Sequence, residues 1–226
     1  MDQLRRAAPV ILPSLLLCDF GNLEREVARL EAAGIEALHL DVMDGHFVPN
    51  LTYGMPIVQA LDRLTDMPLD VHLMISDPAR YLPEFIEAGA DIITFHIEAV
   101  EDPAPALDRI AALGACPGLA LNPQTPLSRV EPYLDQCEVV LVMSVPAGFG
   151  GQAFDPVALE KLNSLRSATA GRVALQVDGG VNPDTIGDCA RAGAELFVVG
   201  SAIFRQADYA TAVSELRSLA ESSVRS

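Results

Sequence analysis

The sequence predicts an α/β protein built as one (β/α)8 TIM barrel, a single domain spanning residues 1–226. Three observations predict it. Short β-rich runs alternate with amphipathic helical patterns, eight of each, with no low-complexity linker dividing the chain. Four helix-to-strand junctions repeat one signature: Ala33-Gly34-Ile35, Ala88-Gly89-Ala90, Leu113-Gly114-Ala115 and Ala192-Gly193-Ala194. In each, the glycine supplies the left-handed cap that a Cβ would penalise. Finally, strands alternating with helices pair in parallel through right-handed crossovers, and eight such units in 226 residues suit this barrel. A doubly wound open sheet would carry a glycine-rich turn after its first strand, and Leu17-Cys18-Asp19-Phe20 is no such turn.

The elements follow in order. The apolar run Val10–Leu17 is the first strand, and the pattern over 22–33 is the helix behind it. Glu36–Val42 and Pro68–Met74 are strands of alternating apolar and chemically active residues, followed by helices over 56–64 and 79–88. The β-branched run Asp91–His96 is the fourth strand, with a helix over 104–113. Ala115–Asn122, Val139–Met143, Val173–Asp178 and Leu196–Gly200 complete the set of strands, with helical patterns over 128–135, 157–167, 183–192 and 208–220.

Composition excludes several classes of function. Fifteen basic against 31 acidic side chains give a net charge of −16, which argues against nucleic acid and anionic membrane as partners. It does not exclude a small anion, because backbone N–H groups can bind one without Lys or Arg. Trp is absent and aromatics are 5%, so a stacking surface for sugars or bases is not expected. No apolar run reaches the ~18 residues of a membrane span. Arg5-Arg6 followed by apolar residues up to Cys18 imitates a lipoprotein signal, but Pro9 and Pro13 interrupt it and the residues before Cys18 are bulky. Cys18, Cys116, Cys137 and Cys189 show no CxxC spacing and read as reduced, mostly buried thiols of a cytoplasmic protein.

Chemistry in such a barrel collects at the C-terminal strand ends. Residues two apart share one face of a strand, so His39, Asp41 and Met43 point the same way at the end of the second strand. The third strand ends Asp70-Val71-His72-Leu73-Met74, and the seventh ends Gln176-Val177-Asp178-Gly179-Gly180. A lone inward histidine is usually a hydrogen-bonded core residue, and an Asp before Gly-Gly is often a turn residue. Two imidazoles and two carboxylates converging from three strands are a different matter: buried without a common partner they would be costly. His39, Asp41, His72 and Asp178 suit a divalent ion such as Zn2+, Fe2+, Mn2+ or Co2+. His96 is placed at the cavity wall and His46 in the loop after the second strand. Met43, Met74 and Met143 also lie at strand ends, at a common level that suits an apolar, polarisable cap.

Glycine marks the later strand ends: Gly148-Phe149-Gly150-Gly151, Gly179-Gly180 and Gly200-Ser201. These fall where such barrels bind phosphate, beside a short helix for which Ser201-Ala202-Ile203-Phe204 is the candidate.

With these residues in view, the chain resembles the ribulose-phosphate 3-epimerase family, metal-dependent (β/α)8 barrels, from Pro13-Ser14 to Phe204. The stretches that carry the resemblance are His39 to Asn50, Asp70 to Met74, Gly148 to Gln152, Val177 to Asn182 and Val199 to Phe204; the first is highly specific. The resemblance implies that His39, Asp41, His72 and Asp178 bind one divalent metal per subunit. It implies that Asp41 and Asp178 are the acid/base pair. It further implies that Ser14, His72, Gly148, Phe149, Gly150, Gly151, Asp178, Gly179, Gly180, Gly200 and Ser201 contact a small phosphorylated ketose. Ribulose 5-phosphate and xylulose 5-phosphate would interconvert by proton transfer at C3, in the pentose phosphate pathway or Calvin cycle, in a dimer or hexamer. Departures from the family pattern are Pro146-Ala147 for Asn-Pro, Leu17-Cys18 for Ser-Ala, Gln176 for Glu, and a short Ala168–Arg172 segment. The first lies beside the substrate loop and bears on the choice of sugar. Competing expectations are a 3-epimerase of a ketohexose 6-phosphate and a metal-free phosphate-binding transferase or decarboxylase.

Overall fold

Parallel strands covered on both faces read as near-continuous buried runs, and the β-rich runs of this chain behave that way. The computed structural model, which describes residues 1–224, forms strands β1 (Val10–Pro13), β2 (Leu38–Met43), β3 (Leu69–Met74) and β4 (Ile92–His96). It continues with β5 (Cys116–Leu121), β6 (Val139–Met143), β7 (Ala174–Asp178) and β8 (Leu196–Val199). Each strand from β2 to β8 pairs in parallel with the next, and β8 pairs with β1. The ring closes between β1 and β2 through a single bridge, Ser14 with His39. The (β/α)8 barrel expected from the sequence is therefore the observed fold.

Helices α1 (Asp2–Ala7), α2 (Leu23–Ala32), α3 (Met55–Asp62), α4 (Pro78–Glu87) and α5 (Ala104–Ala112) precede the fifth strand. Helices α6 (Val157–Thr169), α7 (Ile186–Ala192), α8 (Ser201–Phe204) and α9 (Tyr209–Val224) follow the sixth. The repeated glycine signature does what its chemistry requires. Gly34, Gly89, Gly114 and Gly193 all take positive φ, at 75°, 111°, 92° and 112°, each turning a helix end toward a strand.

Three elements differ from expectation. The first strand stops at Pro13, and Leu15–Leu17 form a 3-10 turn that leads onto the barrel mouth. The segment expected as a helix over 128–135 is two 3-10 turns, Leu127–Arg129 and Glu131–Gln136, with Pro132 removing an amide that a continuous helix would use. Helix α1, unassigned from sequence, closes the bottom of the barrel: Leu4 is buried against Val10, Leu12, Ile92, Val139 and Leu196.

Apolar side chains fill that lower end. Higher in the barrel the buried side chains turn polar: His39, Asp41, Asp70, His72, Thr94, His96 and Gln176. The β2 edge that faces β1 is finished by side chains instead of a full ladder. The Asp41 and Met43 amides donate to Tyr53 Oη (3.1 Å) and Thr52 Oγ1 (3.0 Å), and the Thr52 hydroxyl donates to the Asp41 carbonyl (2.7 Å).

Candidate active site

Strand parity brings the four expected ligands together. His39 and Asp41 lie two apart on β2, His72 on β3 and Asp178 at the end of β7, and one ligand atom from each lies within 4.8 Å of the others. Asp41 Oδ1 faces His72 Nδ1 at 3.2 Å and His39 Nε2 at 3.4 Å, while Asp41 Oδ2 accepts a 2.6 Å hydrogen bond from the Ser14 hydroxyl.

The outer nitrogen of His39 is held by a second carboxylate. His39 Nδ1 lies 2.7 Å from Asp70 Oδ2, and the same oxygen accepts from Gln176 Nε2 at 2.5 Å. A carboxylate there fixes the proton on Nδ1 and leaves Nε2 as the inward nitrogen. His39 Nε2 is buried and has no hydrogen-bond partner. A buried polar atom left bare is costly, and this one points at three further ligand atoms. The donor set of two imidazoles and two carboxylates therefore fits a divalent cation. Gln176 keeps an amide donor on Asp70 Oδ2.

The electrostatics set the two carboxylates apart. Burial pushes the Asp41 carboxyl up, but the His39 charge and the two imidazoles of His39 and His72 packed against it outweigh it, so Asp41 lies well below the usual carboxylate range. Burial, reinforced by the negative charge of Asp41, pushes Asp178 up to about 7. Burial lowers His39, but Asp70 and Asp41 outweigh it and hold this imidazole well above its ordinary value. Burial dominates at His72, which is lowered, and at His96, which falls to about 4.

Above this cluster opens a cavity of about 250 Å3. Ser14, Asp41, Asp178, Gly148, Phe149, Gly150, Gly151, Gly179, Gly180, Gly200 and Ser201 line it, as do all three methionines, Met43, Met74 and Met143. Its glycines permit close approach of backbone. Gly180 sits at φ 62°, where a Cβ would meet the Phe154 amide nitrogen at 2.7 Å. The 148–151 loop is tied down by Asn50 Nδ2, which donates to the Gly148 carbonyl (2.8 Å). From inside the loop, Gln152 Nε2 donates to the carbonyls of Pro146 and Phe149 (2.9 and 2.8 Å). The short helix expected at Ser201–Phe204 is α8.

Two placements depart from expectation. His72 lies beneath the cavity floor, fully buried, and is not among the lining residues. His96 is not a wall residue either: it is buried behind His72, with the two Nε2 atoms 2.9 Å apart. His46 is exposed in its loop, as expected. Sequence reasoning missed Arg205, the one cationic side chain lining the cavity among the described residues. Its signal was available: it is the first residue past the short helix α8. Of the free cysteines, Cys18, Cys137 and Cys189 are buried, and burial pushes each thiol up to about 12, far from reactive.

Fold and site together define a (β/α)8-barrel enzyme that works on a small ligand at its strand ends. Residues 10–204 match the ribulose-phosphate 3 epimerase family. The chain belongs to that family and is an isomerase of the epimerase type. It is 47% identical over 215 residues to the ribulose-phosphate 3-epimerase of Mycobacterium tuberculosis strain H37Rv, covering 92% of each chain. It is 46% identical over 213 residues to that of Escherichia coli K12, covering 92% of this chain and 95% of the other.

Solved structures share the fold at low identity. KGPDC from Streptococcus mutans in complex with D-R5P aligns at TM-score 0.71 and 17% identity, covering 94% of this chain and 97% of that one. Thiamine phosphate pyrophosphorylase from Pyrococcus furiosus aligns at 0.66 and 17%, covering 98% and 99%. No helix among the described residues is long and apolar enough to cross a membrane.

Proposed function

We propose that this epimerase interconverts D-ribulose 5-phosphate and D-xylulose 5-phosphate by moving one proton at C3. The observation that carries the reading is the pair Asp41 and Asp178. They come from β2 and β7, their oxygens meet at the cavity floor, and their environments push their proton affinities in opposite directions. Carboxylates separated in this way are suited to serve as base and acid in one turnover.

Asp41 removes the C3 proton from one face, and Asp178 returns a proton to the other, inverting the centre; the roles exchange in reverse. A single base would tend to return the proton to the face it left. Ser14 holds Asp41 Oδ2 through its 2.6 Å hydrogen bond and so fixes the direction in which that carboxylate addresses substrate. The glycine loops at 148–151, 179–180 and 200–201 hold the phosphate through backbone N–H groups. Met43, Met74 and Met143 close the cavity with apolar surface and keep water from the reacting carbon. His39, Asp41, His72 and Asp178 hold one divalent metal ion, Zn2+, Fe2+, Mn2+ or Co2+. That ion, when bound, supplies a Lewis acid for the negative charge that develops on the sugar oxygens. The protein works in the cytoplasm as a homo-oligomer, a dimer or hexamer, a state that sedimentation measures directly.

The test is epimerisation of ribulose 5-phosphate after chelation and after each metal is restored, with a ketohexose 6-phosphate as competitor. Asp41→Asn and Asp178→Asn should each lose at least ~10²-fold in kcat, the lower end for a general acid or base. In D2O, Asp178→Asn should still exchange the C3 proton of one epimer without inversion, and Asp41→Asn that of the other. If one variant alone abolishes all exchange while keeping its metal, the two-carboxylate account fails. Full turnover with metal verified absent would remove the metal from it.

A further inference from the structure

Behind His72 runs a buried line of side chains that the proposed chemistry does not use. His72 Nε2 lies 2.9 Å from His96 Nε2, and His96 Nδ1 lies 3.0 Å from Glu98 Oε2. Glu98 Oε1 accepts from the Asn122 amide (2.8 Å) and from the Thr125 hydroxyl. Both histidines are fully buried. At the other end, His72 Nδ1 faces Asp41 Oδ1 at 3.2 Å. Asn122 Nδ2 also approaches His96 Nδ1, but at 3.4 Å, longer than the carboxylate contact.

Counting protons along this line gives a definite answer. There are three contacts: Glu98 to His96, His96 to His72, and His72 to Asp41. A carboxylate stands at each end and can only accept. The two neutral imidazoles between them carry one N–H each, so two protons must serve three contacts and one contact is left bare. Glu98 is fixed as an acceptor by its other two donors, so His96 Nδ1 carries a proton toward it. His96 Nε2 then accepts, His72 Nε2 donates to it, and the bare contact falls between His72 Nδ1 and Asp41 Oδ1. Two acceptors facing each other at 3.2 Å need a cation between them.

We infer that His96 and Glu98 are positioning residues: through this relay they fix the tautomer of His72, so that its Nδ1 lone pair is presented to the metal. The inference rests on the reading of His39, Asp41, His72 and Asp178 as a metal site. Its origin in the fold is plain. Thr94 pairs with His72 across β3 and β4, and His96, two residues on, shares the inward face. Lys161 from α6 secures the far end by donating to the carbonyls of Asn122, Pro123 and Thr125 at 2.8, 2.8 and 2.7 Å. It thereby holds the loop that holds Glu98.

The isosteric change Glu98→Gln tests the relay. Its carbonyl oxygen keeps the Asn122 and Thr125 bonds, which turns the NH2 toward His96 Nδ1. His96 Nδ1 must then accept, its Nε2 must donate to His72 Nε2, and the His72 proton moves to Nδ1, where it blocks the metal. Co2+ and Zn2+ affinity of the full-length protein is measured by competition with a chromophoric chelator, without substrate. The expected result is about a 10- to 100-fold loss for Glu98→Gln, the usual range for a group that orients a ligand. The melting temperature of the metal-free variant should match that of the metal-free parent. His96→Leu, with no acceptor, should lose a similar factor, and His96→Gln, whose carbonyl can accept from His72 Nε2, should recover most of it. Long-range 1H–15N spectra of the metal-loaded parent should place the protons on His72 Nε2 and His96 Nδ1. Parental affinity in Glu98→Gln, or a spectrum with the proton on His72 Nδ1, overturns the relay. A parent protein that binds neither ion overturns the metal reading itself.

Discussion

Metal binding at the strand ends should compete with protons, and the structure sets the size of that competition. Two of the four proposed ligands hold a proton that an incoming ion must displace. His39 is held well above its ordinary value, chiefly against the opposing effect of burial, by Asp70 and Asp41, so its inward Nε2 is protonated in the metal-free protein at neutral pH. Asp178 is raised to about 7 by burial and by Asp41, so below that pH it too is protonated. Asp41 lies far below and His72 is lowered, so neither contributes a proton at neutral pH. The sign is fixed: acid weakens binding, since each displaced proton makes apparent affinity fall about tenfold per pH unit. Below pH 7 the Asp178 proton adds to that of His39, so the fall in affinity should steepen there by about a further tenfold per unit. The assay is Co2+ binding by calorimetry from pH 5.5 to 8.5 in buffers of different ionisation enthalpy, which also counts protons released. More protons should leave at pH 6 than at pH 8. In Asp178→Asn the break near pH 7 should vanish, leaving the shallower slope throughout. An affinity that is flat between pH 6 and 8, or binding without proton release, would refute the assignment of these protons.

Three further outcomes are expected. At Gly200 and Gly150 an added Cβ meets only Leu17 Cδ1 at 3.4 Å and Leu16 Cδ2 at 3.8 Å, so Gly200→Val and Gly150→Val should fold and raise KM by obstructing the phosphate; unchanged KM in both places the phosphate elsewhere. Arg205→Ala removes the one cation lining the cavity among the described residues, and should raise KM about 3- to 10-fold with kcat preserved, a difference that shrinks at high salt. Lys161→Met strips three backbone carbonyls of their donor and should lower stability by about 2 kcal/mol or more in urea titration, with parental stability refuting the role assigned to that ammonium.

Much of this was legible in the sequence for physical reasons. Gly34, Gly89, Gly114 and Gly193 announce helix ends because only glycine takes positive φ without strain, and all four do. His39 and Asp41 could be placed on one face because strand side chains alternate, which holds whatever the tertiary context. His96 was misplaced because its partner is set by the register of β3 against β4, and no spacing within one strand encodes register between two. Asp70 and Gln176 went unread as a pair for the same reason: they meet across the barrel, 106 positions apart in sequence, beneath His39. The 3-10 turns around Val130 imitate a helix in hydrophobic spacing, and only Pro132 betrays them.

The junction of β1 and β2 makes this ring less a hoop than a split collar. Elsewhere neighbouring strands are laced by a ladder, so one cannot slide against the next without several bonds breaking together. Here a single rung joins the lips, and Ser14 and Asp41 stand one on each, at the working end of the barrel. Compliance is therefore concentrated where the 2.6 Å contact between hydroxyl and carboxylate must hold its aim. Thr52 and Tyr53 act as the clasp, covering amides that a missing neighbour leaves open. Amide exchange at Asp41 and Met43 then follows the loosening of that clasp, while exchange at Leu40 and Val42, turned toward β3, follows rupture of the ladder.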